Sequence, residues 1–179
     1  SYSGRREAGP PPLGLQVADI GGGALGALVG LLAAVVQRAA TGQGQFVDIS
    51  MFDMMVAWQS HLISHTLVAG ETPRPEEMPL NGARAYDYYE TADGRWLAVG
   101  SLEPKFWEGF CAAIGRPDLV APGLSLDDGA QARVKAAVRA AIAARPLAEW
   151  AAVFAARDVC VEPVLSVPEM LAHPQTAAR

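Results

Sequence analysis

An α/β fold is predicted by three observations. A long Ala-, Leu- and Val-rich stretch of helical length opens on the glycine triplet Gly21-Gly22-Gly23. Further on, apolar and polar residues alternate on both sides of Asp93-Gly94, the signature of a β-hairpin. Ala-rich amphipathic segments then resume, so helices and strands are interleaved along one chain.

Taken in order, the first dozen residues read as an exposed connector, because Pro10-Pro11-Pro12 lack backbone donors. The apolar stretch Gln16 to Ile20 is expected as a short strand leading into the glycines. Ala24 to Ala40 is expected as a buried helix, closed by Arg38 and the glycines of Thr41-Gly42-Gln43-Gly44. Phe46 to Ile49 is expected as a strand, and Ser50 as the N-cap of a second helix from Met51 to Ala69, ended by Gly70. The proline-rich segment Thr72 to Pro79 marks a domain boundary. Beyond it, Tyr86 to Thr91 and Arg95 to Gly100 form the hairpin. A helix starts after Glu103-Pro104, since proline suits the first helical position, and runs to Gly115. Gln131 to Ala144 and Leu147 to Arg157 are two helices separated by Pro146; Val159 to Leu165 is a strand and Val167 to Ala172 a helical turn.

The chain has 179 residues, 51% hydrophobic and 18% charged, enough for a core without disulfides or metals. A disordered tail is thereby excluded. A net charge of −5 argues against nucleic acid or an anionic membrane as the main partner. The apolar run Ala24 to Val36 falls short of the roughly 20 residues that a membrane helix needs, so no membrane partner is expected. Cys111 and Cys160 fit neither a disulfide framework nor a zinc site and read as buried small hydrophobes in a reducing, cytoplasmic setting. A start at Ser1 and an end at Arg179, in the middle of an element, are expected of a piece of a longer protein.

Gly21, Gly23 and Gly26 satisfy G-x-G-x-x-G, but the acid that would grip a ribose, Asp48, lies too far on and inside its strand, so close packing is the preferred reading of these glycines. Asp19 carries more information. A carboxylate just before a helix N-terminus faces unpaired N–H groups and the positive end of the dipole, a placement that suits a nucleophile or base as well as an ordinary cap. His61 and His65 share a helix face, without a third ligand or a glutamate between them, and are read as structural. Asp127-Asp128-Gly129 lacks the alternating ligands of a calcium loop and is read as a turn or helix start.

Five ordered runs carry a resemblance: Ala18-Asp19-Ile20-Gly21-Gly22-Gly23, Thr41 through Asp48, Tyr89 through Arg95, Ala98 through Trp107 with Ser101-Leu102-Glu103-Pro104, and Asp158 through Leu165. Together they resemble the family III CoA-transferases, and within them the alpha-methylacyl-CoA racemase branch. The resemblance implies residues 1–79 as part of a large Rossmann-like, CoA-binding domain with its linker, 80–165 as a small α/β domain, and 166–179 as a segment returning to the large one. It also implies an interlocked homodimer acting on an acyl-CoA, with coenzyme A as part of the substrate and no separate cofactor or metal. An amino-terminal half bearing a catalytic histidine is implied upstream, and none of His61, His65 and His173 matches that histidine.

By the same resemblance, Asp19 matches the catalytic aspartate and Glu103 the racemase glutamate that orients the histidine. Gly21, Gly22, Gly23 and Gly82 are implied near the CoA substrate, the triplet offering N–H groups to a developing oxyanion. The expected reaction is racemisation or epimerisation of a 2-methylacyl-CoA through its α proton. CoA transfer between carboxylates through Asp19, and a non-catalytic assembly module, are the alternatives. Asn81-Gly82-Ala83-Arg84 departs from the racemase pattern, and Arg84 offers a cation to a carboxylate on the acyl group.

Overall fold

The structure, a computed structural model, describes residues 4–179. It divides into two compact units, one of Ala8–Pro73 and one of Arg74–Arg179 together with the described residues up to Glu7.

Within Ala8–Pro73 the regular elements among the described residues are helices. A π-helix, Val17–Leu25, runs directly into α1, Gly26–Thr41. Gly42 in the left-handed conformation closes α1, its N–H bonded to the Arg38 carbonyl. Ser50 caps α2, Met51–Trp58, by accepting the Asp53 N–H; α3, Ser60–Ala69, follows after a break at Gln59 and ends on left-handed Gly70. The helix expected over Met51 to Ala69 is thus two helices. Two expected strands are absent: Gln16 to Ile20 is taken into the π-helix, and Phe46 to Ile49 makes no ladder among the described residues. A strand needs a neighbour for its N–H and C=O groups. Here Val47 and Ile49 instead lie along α1, where a Cβ on Gly30 would stand 2.9 Å from Val47 and one on Gly26 3.3 Å from Ile49.

The π-helix and α1 together, Val17–Thr41, are long and apolar enough to cross a membrane by length and composition. The expectation that no such run exists is therefore corrected, since the count stopped at residues that continue the same helix. Leu28, Val29, Leu32 and Val36 on it are exposed.

The other unit is a three-stranded antiparallel sheet with helices on one face. Strands β1, Asp87–Glu90, and β2, Trp96–Val99, form the expected hairpin, and β3, Val161–Pro163, adds to β2 with Val99 opposite Val161. Tyr89, Leu97, Val99 and Val161 point inward. Against them pack α4, Pro104–Ala113; α6, Asp128–Ile142; and α7, Leu147–Phe154. Trp107, Phe110, Phe154 and Trp150 form a chain of ring contacts through this core, with centroids 5.5 to 5.9 Å apart. Between α4 and α6, a 3₁₀ turn, Pro117–Leu119, leads into the short α5, Val120–Gly123, a segment with no periodic signal in the sequence. Asp127 caps α6, so the Asp127-Asp128-Gly129 run is a helix start. After β3 come α8, Val167–Ala172, and α9, Pro174–Ala177. Alternating helices and a small sheet fit the α/β class.

Candidate functional site

Asp19 is the third residue of the π-helix, exposed and in its first turn. It was expected at the end of a strand, immediately before a helix. The helix starts two residues earlier, so Asp19 lies within the first turn, beside backbone N–H groups that have no partner inside the helix. π-helical turns are rare and concentrate where a backbone is locally reshaped for function. No hydrogen bond or ion pair engages the Asp19 carboxylate among the described residues.

The glycines after Asp19 explain how this turn is held. A Cβ on Gly21 would lie 2.5 Å from Trp58 Cη2, one on Gly22 3.1 Å from Met55 Cε, and one on Gly23 3.0 Å from Met51 Cγ. All three contacts come from α2, so the missing side chains let the π-helix press onto that helix. The close packing read from the sequence is therefore present, with a helix where a sheet was expected. The dinucleotide fingerprint lacks its preceding strand.

Glu103 sits at the N-cap of α4 with an extended backbone, exposed, and its side chain makes no capping bond. Pro104 follows at the first helical position, and the Glu103 carbonyl accepts the Trp107 N–H at 2.9 Å. The backbone is fixed while the carboxylate projects freely.

Gly82 is buried with φ +102°, a conformation in which a side chain is strained. Its carbonyl accepts a hydrogen bond from Lys135 Nζ at 2.6 Å. Lys135 also lies 3.1 Å from Asp87 Oδ2, and Arg5 grips the same carboxylate at 2.7 and 3.0 Å while reaching Glu76 at 2.8 Å. Burial pushes the Asp87 carboxyl up, but bonds from Arg5, the Tyr88 N–H and Lys135 outweigh it and hold the group below its ordinary range. Sequence reading missed this four-residue cluster. Its signal was Asp87 itself, which shares strand parity with buried Tyr89 and so needs a cation. Arg84, two residues after Gly82, is half-buried.

The remaining candidates lie elsewhere. His61 and His65 are on α3, and His173 Nδ1 accepts the Gln175 N–H at 3.2 Å. Among the described residues no three metal-ligating side chains cluster. Cys111 is buried, which pushes its thiol up to about 12; Cys160, expected to be buried, is exposed, because a left-handed backbone turns it away from the strand that follows.

The chain matches CoA-transferase family III over residues 1–179. Alpha-methylacyl-CoA racemase of Homo sapiens is 35% identical over 170 residues, covering 94% of this chain and 44% of that protein. Succinyl-CoA:mesaconate CoA-transferase of Haloarcula marismortui is 34% identical over 148 residues, covering 83% of this chain and 35% of that protein. A CAIB/BAIF family protein from Brucella suis shares the fold at a TM-score of 0.70 and 23% identity, covering 99% of this chain and 48% of that one. The chain thus spans less than half the length of each of these relatives.

Proposed function

The chain belongs to CoA-transferase family III, and from that premise we propose that it carries Asp19 and Glu103 for the racemisation or epimerisation of a 2-methylacyl-CoA. The family is enzymatic and its members include racemases and CoA-transferases. The observation that carries the reading is the free Asp19 carboxylate in the first turn of a π-helix locked onto α2.

Asp19 removes the proton α to the thioester carbonyl and the histidine that the family resemblance places outside this chain returns one to the opposite face, which inverts the centre. A carboxylate achieves this where the enolate oxygen meets positive dipoles as charge develops. Glu103 orients the histidine that the family resemblance places outside this chain. Gly21, Gly22 and Gly23 are assigned to shaping the turn that carries Asp19 and its approach to coenzyme A, and Gly82 to shaping the loop before Arg84.

The second reading is CoA transfer, favoured by the similarity to a mesaconate CoA-transferase and by Arg84 as a receptor for a carboxylate. Asp19 would attack the acyl-CoA carbonyl and release CoA thiolate, leaving a mixed anhydride. The thiolate then attacks the Asp19 carbonyl, releasing the first acid and forming an aspartyl-CoA thioester that passes CoA to a second carboxylate. In a third reading this chain alone is an assembly piece. The exposed apolar residues of α1 support an assignment to contact with further protein, including an interlocked second copy. The packing of Val47, Ile49 and Met54 on its glycine side favours protein over a bilayer there. A cytoplasmic location is part of the same proposal.

The test uses a family-length protein carrying this chain. Incubation with a 2-methylacyl-CoA in heavy water is expected to exchange the α hydrogen and to cease in D19N. Absence of exchange, together with a mass adduct on Asp19, would establish transfer instead. Absence of both would leave the assembly reading.

A further inference from the structure

We infer that Ser101, through its bond to the Val159 carbonyl, is a positioning residue for Glu103, an inference that rests on the role assigned to Glu103 above. The last ladder pair of β2 and β3 is Val99 with Val161. The two segments nevertheless stay joined beyond it. The Gly100 N–H donates to the Cys160 carbonyl at 2.8 Å, and the Ser101 hydroxyl donates to the Val159 carbonyl. In an extended strand, consecutive carbonyls point to opposite edges, so one neighbour cannot bond both. Cys160 removes that obstacle by standing at φ +53°, a left-handed conformation that non-glycine residues adopt at a cost. It turns two successive carbonyls toward Gly100 and Ser101.

Gly100 is suited to this contact, since a Cβ there would lie 3.2 Å from the Cys160 carbonyl oxygen. Ser101 is 6% exposed and the Val159 carbonyl is the one hydrogen-bond partner found for its hydroxyl among the described residues, so alanine would orphan that carbonyl. From this anchor the chain turns at once, Leu102 N–H to Gly100 carbonyl at 2.8 Å, and reaches Glu103. On the far side α4 is pinned to the same segment, where a Cβ on Gly109 would lie 2.8 Å from Val159 Cγ1. Glu103 is therefore bracketed by two contacts with Val159. Because its carboxylate makes no capping bond, the backbone alone fixes the point from which the Glu103 side chain departs.

The experiment is a double-mutant cycle in a family-length protein, with α-hydrogen exchange as the assay. E103Q is expected to lose most of kcat. S101A should lose kcat about 10-fold or more with KM changed less than about twofold, as misplacement of a reacting group does. S101T should recover most of the loss, and S101A/E103Q should be no slower than E103Q alone. Multiplicative losses in the double variant would overturn the inference, as would full kcat in S101A beside a crippled E103Q. Where S101A proves unfolded by its melting curve, S101T and S101C decide by the same cycle. Full activity in E103Q overturns the role of Glu103 itself, a result distinct from failure of the Ser101 inference alone.

Discussion

Lys135 Nζ lies 3.1 Å from Asp87 Oδ2 and 2.6 Å from the Gly82 carbonyl oxygen, so one ammonium joins the start of β1 to the loop that precedes it. The Asp87 and Lys135 side chains are 5% and 13% exposed, whereas Arg5, on the other side of the carboxylate, is 48% exposed. Removing Lys135 leaves the buried Asp87 carboxylate with only the half-exposed Arg5 as counter-ion, and a buried charge that loses a partner costs more than the pair contributes while intact. K135M is accordingly expected to destabilise the unit by about 2 kcal/mol, read from the urea midpoint. R5A is expected to cost less, since solvent screens its bonds and can replace them. A larger loss in R5A than in K135M would contradict this ranking.

The same cluster predicts acid sensitivity. The folded Asp87 carboxyl lies below its ordinary value of 3.8, burial opposing the shift and the bonds from Arg5, the Tyr88 N–H and Lys135 producing it. Glu76 is also lowered, chiefly by Arg5. A lowered carboxyl stabilises the fold fully above its unfolded pKa, and the contribution is lost as pH falls through the folded value. Melting temperature should therefore decline as pH drops from 5 toward 3, and D87N should be less stable at neutral pH but flatter across that window. An equal slope in D87N would assign the acid loss elsewhere.

The fold was most legible where a local pattern also had a local partner. The hairpin around Asp93-Gly94 needed only its own two strands, and the buried row Val134, Val138 and Ile142 needed only a helix face. Phe46 to Ile49 reads as a strand by composition, but composition cannot supply a ladder neighbour. The candidate site was proposed from the sequence at Asp19, beside glycines that have few conformational meanings, and at Glu103, from the resemblance of its run. It was not legible at Ser101, Cys160 or Lys135. Their roles depend on contacts 58 positions away, for Ser101 with Val159, and 53, for Lys135 with Gly82, which no window of sequence spans.

Gly123 is held against the face of Trp107. A Cβ there would come within 2.3 Å of three indole atoms, and the indole Nε1 donates to the Leu119 and Val120 carbonyls at 3.2 and 3.1 Å, so the ring cannot withdraw without losing those bonds. G123A is expected to cost about 1–3 kcal/mol or more by overpacking. Denaturant unfolding followed by tryptophan fluorescence measures it, and a neutral G123A would show that α5 swings aside freely.

Glu169 is anchored at the start of α8. Its carboxylate accepts the Ser166 hydroxyl at 2.6 Å, the Ser166 N–H at 2.8 Å, and Arg95 at 2.8 Å, which together bring its carboxyl down to about 2. Carbonyl-carbon NMR titration should find Glu169 ionised well below its neighbours. S166A should raise its pKa more than R95A does, since the hydroxyl is the larger cause. The reverse order would make the guanidinium the anchor.

Gly21 offers the sharpest test of how Asp19 is held. The atoms that a Cβ would strike, Trp58 Cη2 at 2.5 Å and Cζ3 at 3.0 Å, belong to the outer ring of the indole. G21A must therefore displace the indole or lift the π-helix off α2, and the second movement shifts the first turn two residues away. In a family-length protein G21A is expected to lower kcat by about 10-fold or more, as small misplacements of a reacting group do. Shortening the obstacle should reverse the loss, because phenylalanine lacks the outer indole atoms that collide. G21A/W58F is expected to recover activity that neither the melting temperature nor W58F alone would account for. G44A, at a position with nothing within 4 Å of the added atom, should match the parent protein. If W58F fails to rescue G21A, the contact with Trp58 does not account for the loss.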